Sequence, residues 1–283
     1  VSEALVRQVR LRGNRLRGII VAMDMRQSPV VVNTPLGENS FFLEMRCALS
    51  PAPVPGQFVE LAIDPCLFLR RPFSVSSYRR GTLGILYRVV GRGTHLLSQK
   101  KKGDILGVLG PLGRGFPSFP AASRVWLVAG GTGIAPLLFL LSRRKAASGD
   151  TTLFYGALTD RALFRKVLPA GNYRKVFSTD DGSCGEKCRI TSLVRRHLEQ
   201  ERPDVLCASG PFEMMKEVAC LADACGLPCY VSLENRMGCG MGLCFGCVAK
   251  VKTDTGWDYE RVCTEGPVFP AERVVWEDED SAR

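Results

Sequence analysis

A continuous apolar run, VWLVA at 125–129, leads directly into GGTGIAP and then a helical stretch to about residue 147. No other feature restricts the fold so strongly. A strand without polar alternation must be covered on both faces, and a glycine turn that feeds it into a helix opens a βαβ unit. The pattern then repeats. Strand-like runs at 151–157, 173–179, 204–209 and 228–234 alternate with helical spacing at 161–168, 190–200 and 211–225, the last with Pro211 in its first turn. A doubly wound parallel sheet over 122–233 is predicted.

The text on either side has a different texture. Between 28 and 121, short strands at 30–33, 40–46, 57–63, 73–78, 82–90 and 104–109 are separated by Gly and Pro. Such spacing predicts a small antiparallel β-barrel. Residues 1–27 read as a basic arm, with six arginines up to Arg26 against Glu3 and Asp24, ended by Ser28-Pro29. Residues 234–283 form a short cysteine-bearing subdomain, with strand-like pieces at 248–252 and 273–276 and an acidic tail at 277–280.

Composition narrows the function. The formal net charge is +10, but basic clusters occur without aromatic interleaving or a recognition motif, so no nucleic-acid partner is expected. The longest apolar stretch, 127–141, is interrupted by three glycines and is too short to span a bilayer. The apolar run at 19–23 is too short for a signal-peptide core. A cytoplasmic protein with reduced thiols is predicted, so the twelve cysteines argue for metal ligation rather than a disulfide framework.

Three glycine- or arginine-bearing turns carry the first chemical signals. Gly130, Gly131 and Gly133 let backbone amides approach a ligand, and a helix from about Ile134 directs its positive end there, which suits a pyrophosphate. Pro136 stands where the full dinucleotide fingerprint has a small residue, so a ligand-free tight turn is the competing reading. At 207-CASGPFEMM-215 a second strand meets Gly210 and a helix, and ligands of open α/β sheets lie beyond such strand ends. In the barrel, 70-RRPFSVSS-77 sets two arginines before a strand, where a guanidinium can grip a phosphate bidentately. Ser74 and Ser76 are placed on one face by period two. Beyond it, 86-LYRVVGRGTHLLS-98 turns through Gly93 into a helix capped by Thr94.

The cysteine signal is the sharpest. Cys239-x4-Cys244-x2-Cys247, with Cys263 downstream, has the plant-type [2Fe–2S] spacing, and the glycines at 238, 240, 242 and 246 allow a tight loop with amides aimed at sulfur. A structural zinc site remains the alternative, although it usually pairs two close Cys units. The other eight cysteines, Cys184 and Cys188 included, read as core or loop thiols, and His95 and His197 as surface or packing residues. No catalytic acid or base stands out.

Taken together, RPFS at 71–74, GGTGIAP at 130–136 and the Gly210-Pro211-x-x-Met214 turn resemble the ferredoxin–NADP⁺ reductase superfamily. With the cysteine loop, GRGTHLLS (91–98), GPLGRGF (110–116) and TDDGSCGEKC (179–188), the chain resembles electron-transfer subunits of NAD-dependent bacterial dihydroorotate dehydrogenases from about residue 28 to the end. The resemblance implies a ferredoxin reductase-like architecture. FAD would be held by Arg71, Pro72, Phe73 and Ser74, lined by Leu86, Tyr87 and Arg88, with its phosphates near Gly93 and Thr94. NAD(H) would lie on Gly130, Gly131, Thr132, Gly133, Ile134, Pro136, Gly210, Pro211 and Met214. The cluster would sit on Cys239, Cys244, Cys247 and Cys263.

The function so implied is relay of electrons from the FMN of a dihydroorotate dehydrogenase catalytic subunit to NAD⁺, within pyrimidine biosynthesis, in a heterotetramer with two subunits of each type. Ser209 replaces the cysteine the superfamily often has before Gly-Pro, and Cys188 replaces a frequent glycine. Two rivals stand beside this reading. One is the small subunit of an NADH-dependent ferredoxin:NADP⁺ oxidoreductase or sulfide dehydrogenase. The other is a zinc-stabilised redox-sensing or interaction module.

Overall fold

The computed structural model describes residues 25–144 and 151–276. Most of the basic arm, the expected helix beyond Arg144 and the acidic tail lie outside the described residues.

The first sheet holds seven antiparallel strands: β1 (Arg26–Gly37), β2 (Ser40–Arg46), β3 (Phe58–Ala62), β4 (Arg71–Ser74), β5 (Ser77–Arg79), β6 (Thr82–Arg88) and β7 (Ile105–Leu112), in the order β4-β3-β7-β1-β2-β6-β5. β1 starts at Arg26, inside the stretch read as an arm, and pairs with β7 through Arg26–Pro29 before passing to β2. Pro29 is tolerated there because it is the last residue in register with β7. The predicted strand 73–78 is two strands. Between them Val75 N–H donates to Gln57 C=O and Ser76 N–H to Gly84 C=O, so this corner bonds to both flanks and curls the sheet into a barrel. Ser74 and Ser76 therefore do not share a strand, and the Ser76 hydroxyl is used inside, accepting from Leu86 N–H at 3.1 Å.

The second sheet contains β8 (Val125–Gly130), β9 (Thr151–Ala157), β10 (Arg174–Thr179), β11 (Glu186–Lys187), β12 (Val205–Ser209), β13 (Cys229–Ser232) and β16 (Val268–Pro270). Its order is β11-β10-β9-β8-β12-β13-β16, parallel except at β16. The chain builds outward from β8 on one side and then crosses to β12 on the other. The β8–β12 junction is thus the switch point where crossovers diverge and a crevice opens. Period two divides β8. Val125, Leu127 and Ala129 pack with α2 (Ile134–Arg143), while Trp126 and Val128 pack under α3 (Ile190–Leu198) and α4 (Phe212–Ala224).

Local corrections have local causes. The expected helix at 161–168 is two 3-10 turns, Asp160–Ala162 and Arg165–Val167. Leu163 and Phe164 turn inward between them, and Phe164 N–H donates to the buried Tyr155 hydroxyl at 3.1 Å instead of to a helical carbonyl. α1 (Arg92–Ser98) begins at Arg92. Thr94 is its third residue, and its hydroxyl accepts from Val90 and Gly91 N–H. Pro211 is the N-cap of α4, one position outside the helix.

Beyond β13 the chain makes the cysteine loop, then the hairpin β14 (Val248–Thr253) and β15 (Gly256–Arg261), and returns as β16 to the edge of the nucleotide-type sheet. The strand-like piece at 273–276 is a 3-10 turn, Ala271–Arg273, followed by one bridge between Val274 and Val251. No helix among the described residues is long and apolar enough to cross a membrane.

Candidate functional site: a nucleotide cavity beside a cysteine loop

The two glycine turns at the switch point touch backbone to backbone. A Cβ on Gly133 would lie 2.4 Å from Gly210 Cα and 2.6 Å from Ser209 O. Side chains have no room between the turns, and beside them lies a cavity of about 790 Å³. Gly130, Gly131, Thr132 and Gly133 line one wall, and Gly210, Pro211 and Met214 the other. That volume is of the size that accommodates a cofactor. Ile134 and Pro136 lie buried in α2 behind the wall and set its position. Tyr155 anchors the turn, its hydroxyl donating to Gly131 C=O at 3.0 Å. At the far end Thr159 lines the cavity with its buried hydroxyl oxygen free of any hydrogen-bond partner, a group ready for a ligand.

Two further wall residues escaped the sequence reading. Glu234 lines the cavity with its side chain accessible, and desolvation by the surrounding walls holds its carboxyl above the usual carboxylate range. Glu38 joins Arg88 in carrying the barrel to the cavity rim. No motif marks either glutamate; only their meeting in space does.

In the barrel, Arg71 lies across the start of α1, where a Cβ on Gly93 would be 2.7 Å from its Nε. Its Nη1 donates to Leu69 C=O at 2.5 Å, which holds the guanidinium at the strand entrance. Pro72 sits on edge strand β4, where a missing N–H costs nothing. Phe73 stands edge-on to Tyr87, 5.8 Å between centroids, and Ser74 ends the strand. Tyr87 points into the barrel core, stacked on Phe41 and donating to Asn33 Oδ1; burial pushes its hydroxyl up to about 12. Alternation then places the neighbouring Leu86 on the opposite side, packed with the nucleotide-type domain.

The four cysteines expected as ligands gather in the third region. The Cys239 sulfur accepts from Met241 N–H at 3.4 Å and Leu243 N–H at 3.3 Å. Although desolvation opposes it, these amides and that of Cys244 hold the Cys239 thiol below its ordinary value. A hydrogen bond from Cys263 pulls Cys247 down to about 6, and the same pairing pushes Cys263 up. Among the described residues no three His, Cys, Asp or Glu side chains surround one metal-sized point. The sulfurs pair two by two, Cys239 with Cys244 and Cys247 with Cys263. Amides aimed at sulfur stabilise the thiolate form that a metal or iron–sulfur centre requires. Arg261 braces the loop, donating to Gly242 C=O at 2.9 Å while paired with Glu265 at 2.7 Å.

Fold and site define an NAD-binding, ferredoxin reductase-like oxidoreductase with an iron–sulfur domain. Residues 127–219 match the oxidoreductase NAD-binding domain, and 234–275 match the iron–sulfur cluster binding domain of dihydroorotate dehydrogenase B. The chain is 39% identical to the dihydroorotate dehydrogenase B (NAD(+)) electron transfer subunit of Desulforamulus reducens, over 84% of this chain and 94% of that one. It is 42% identical to the corresponding subunit of Bacillus caldolyticus, over 78% and 86%. A solved NADH-dependent reduced ferredoxin-NADP oxidoreductase, studied for flavin-based electron bifurcation, superposes with a TM-score of 0.77 at 30% identity, covering 90% of this chain and 91% of that one. A ferredoxin NADP⁺ reductase from Neisseria gonorrhoeae with bound FAD and NADP shares the fold, with a TM-score of 0.58 at 20% identity. The chain belongs to the family of electron transfer subunits of NAD-dependent dihydroorotate dehydrogenase B.

Proposed function

We propose that this subunit holds FAD at the barrel turn, NAD(H) in the switch-point cavity and a [2Fe–2S] cluster on Cys239, Cys244, Cys247 and Cys263. It would link an FMN-containing dihydroorotate dehydrogenase catalytic subunit to NAD⁺ in pyrimidine biosynthesis. When bound, the cluster supplies one-electron exchange, the flavin converts between one- and two-electron traffic, and the nicotinamide carries hydride. The chain's own residues bind and orient. Arg71 and the start of α1 offer positive charge and amides to phosphates, the Gly133–Gly210 approach keeps a slot open for the nicotinamide cofactor, and Leu243 and Phe245 are exposed around the cysteines. A heterotetramer with two copies of each subunit is the assembly we expect, in the cytoplasm.

One observation carries the reading. The loop bearing Cys239, Cys244 and Cys247 is hydrogen-bonded to the residue preceding the Arg71–Ser74 strand, through Arg70 to Cys239. This contact supports the reading, because a relay needs its flavin turn and its cluster loop side by side. The test is a visible spectrum of the purified chain, then of the chain mixed with a dihydroorotate dehydrogenase catalytic subunit. Flavin and iron–sulfur bands that bleach with NADH, and with dihydroorotate only when the partner is added, are expected. A colourless chain holding stoichiometric zinc would overturn the assignment.

A further inference from the structure

Glu60 is the only Asp, Glu, Lys or Arg among the fully buried residues described, with 0% of its surface exposed. It sits in the middle of β3, whose other residues are apolar. A carboxylate in that position is costly unless it is paired and put to use. Arg70 Nε donates to Oε2 at 2.7 Å. The same guanidinium reaches across to the cysteine loop, where Nη2 donates to the Cys239 carbonyl at 2.9 Å, between residues 169 apart in sequence.

The other oxygen, Oε1, has no hydrogen-bond partner and faces Gly240, whose backbone has φ +69°. A Cβ there would be 2.5 Å from the Glu60 carboxyl carbon and 2.6 Å from Oε1. The first cysteine of the loop is therefore held by Arg70, and its neighbour rests directly on the carboxylate.

We infer that Glu60 and Arg70 are positioning residues for the iron–sulfur centre. The buried carboxylate orients the guanidinium, the guanidinium fixes the Cys239 backbone against the barrel, and the opposed charges bias the electrostatic field where the cluster binds. The inference rests on the cysteine assignment proposed above. It gives β3 and the entrance to β4 a role that the flavin motif does not include. Partners of this outer kind orient metal ligands, and their loss typically costs about 10- to 100-fold in metal affinity or activity.

Charge makes the test sharp. Arg70→Met removes the positive charge and the bond to the Cys239 carbonyl, whereas Glu60→Gln removes the negative charge and leaves the guanidinium uncompensated. The cluster midpoint potential should fall in R70M and rise in E60Q, and the E60Q/R70M double variant should return towards wild type. The bound flavin serves as internal reference in the same titration. R70M should also release its iron to a chelator about tenfold faster or more.

Unchanged potentials and release rates in R70M, or shifts of the same sign in both single variants, would reduce the pair to an ordinary inter-domain contact and overturn the proposal. Arg70 is partly exposed, so R70M decides the matter even if E60Q does not accumulate. A wild-type chain purified without iron and sulfide fails the cysteine assignment itself and takes the inference with it. A loaded wild type with indifferent variants fails only the inference.

Discussion

Gly133 and Gly210 meet at a distance that only two glycine backbones allow, and this contact keeps the crevice between β8 and β12 open. Gly133→Ala would drive a Cβ into the Gly210 backbone, and the atoms in the way belong to no flexible side chain. The two turns must separate. NADH affinity should fall about tenfold or more, a loss of ~1.4 kcal/mol, while flavin and cluster absorption stay as in wild type. Fluorescence titration with NADH measures this. Tyr87 illustrates a residue whose environment sets a pH limit. Its hydroxyl ionises near 10 when unfolded but only at about 12 in the buried site, so the folded state binds the proton more tightly. Its contribution is fully present below pH 10 and is lost as pH rises from there through the folded value. Tyr87→Phe gives up the bond to Asn33, about 1 kcal/mol at neutral pH. Its alkaline unfolding between pH 10 and 12 should be shallower than that of wild type, as followed by circular dichroism.

Among the elements, α2 explains how two sheets become one molecule. Eight consecutive residues, Ile134 to Leu141, are buried. A helix apolar all round belongs in a core. Most of its side chains pack on the nucleotide-type sheet, whereas Phe139 enters the barrel core. The helix that positions the glycine turn therefore also wedges the two domains together. Towards the other edge of the sheet, Arg174 of β10 grips Glu201, just beyond α3, with both guanidinium nitrogens at 2.6 and 2.8 Å. The Arg174 hydrogen bonds hold the Glu201 carboxyl below its ordinary range. A depressed acid stabilises above its unfolded value and loses that contribution as pH falls through the folded one. Both partners are about two-fifths exposed, so the effect is small. Arg174→Met should cost less than about 1 kcal/mol at neutral pH, and the difference from wild type should vanish in acid, read from urea midpoints at pH 7 and pH 3.

At the scale of the whole molecule, the cysteine region shares a core with both of its neighbours. Val251 and Val262 share one core with Trp126, Leu206 and Val218 of the nucleotide-type domain, and Phe58 and Leu112 of the barrel join them. β16 then closes the sheet beside β13, with Phe269 almost wholly buried. Phe269→Ala should destabilise by about 3–5 kcal/mol, and the loss should appear as earlier melting of the cysteine subdomain and the nucleotide-type domain in one transition. Two separate transitions in calorimetry would contradict the shared core.

The sequence by itself determined the elements whose signal is local. Ser40–Arg46 and Thr151–Ala157 are strands over the residues that alternation or continuous apolarity marked, and the glycine turns fall where the chain must bend sharply. Cysteine spacing marked the loop for the same reason, since Cys239, Cys244 and Cys247 lie within nine residues of one another. Tertiary structure alone decided the rest. The short segment at 161–168 had helical spacing but too few residues to hold a helix against the pull of Tyr155 and the core. β16 carries only three residues and exists because the β13 edge offers unpaired backbone groups. Glu60 and Glu234 carry no motif at all. A charged residue inside FVELA was a visible anomaly, yet its use depends on a carbonyl 169 residues from Arg70, a separation that no local pattern spans.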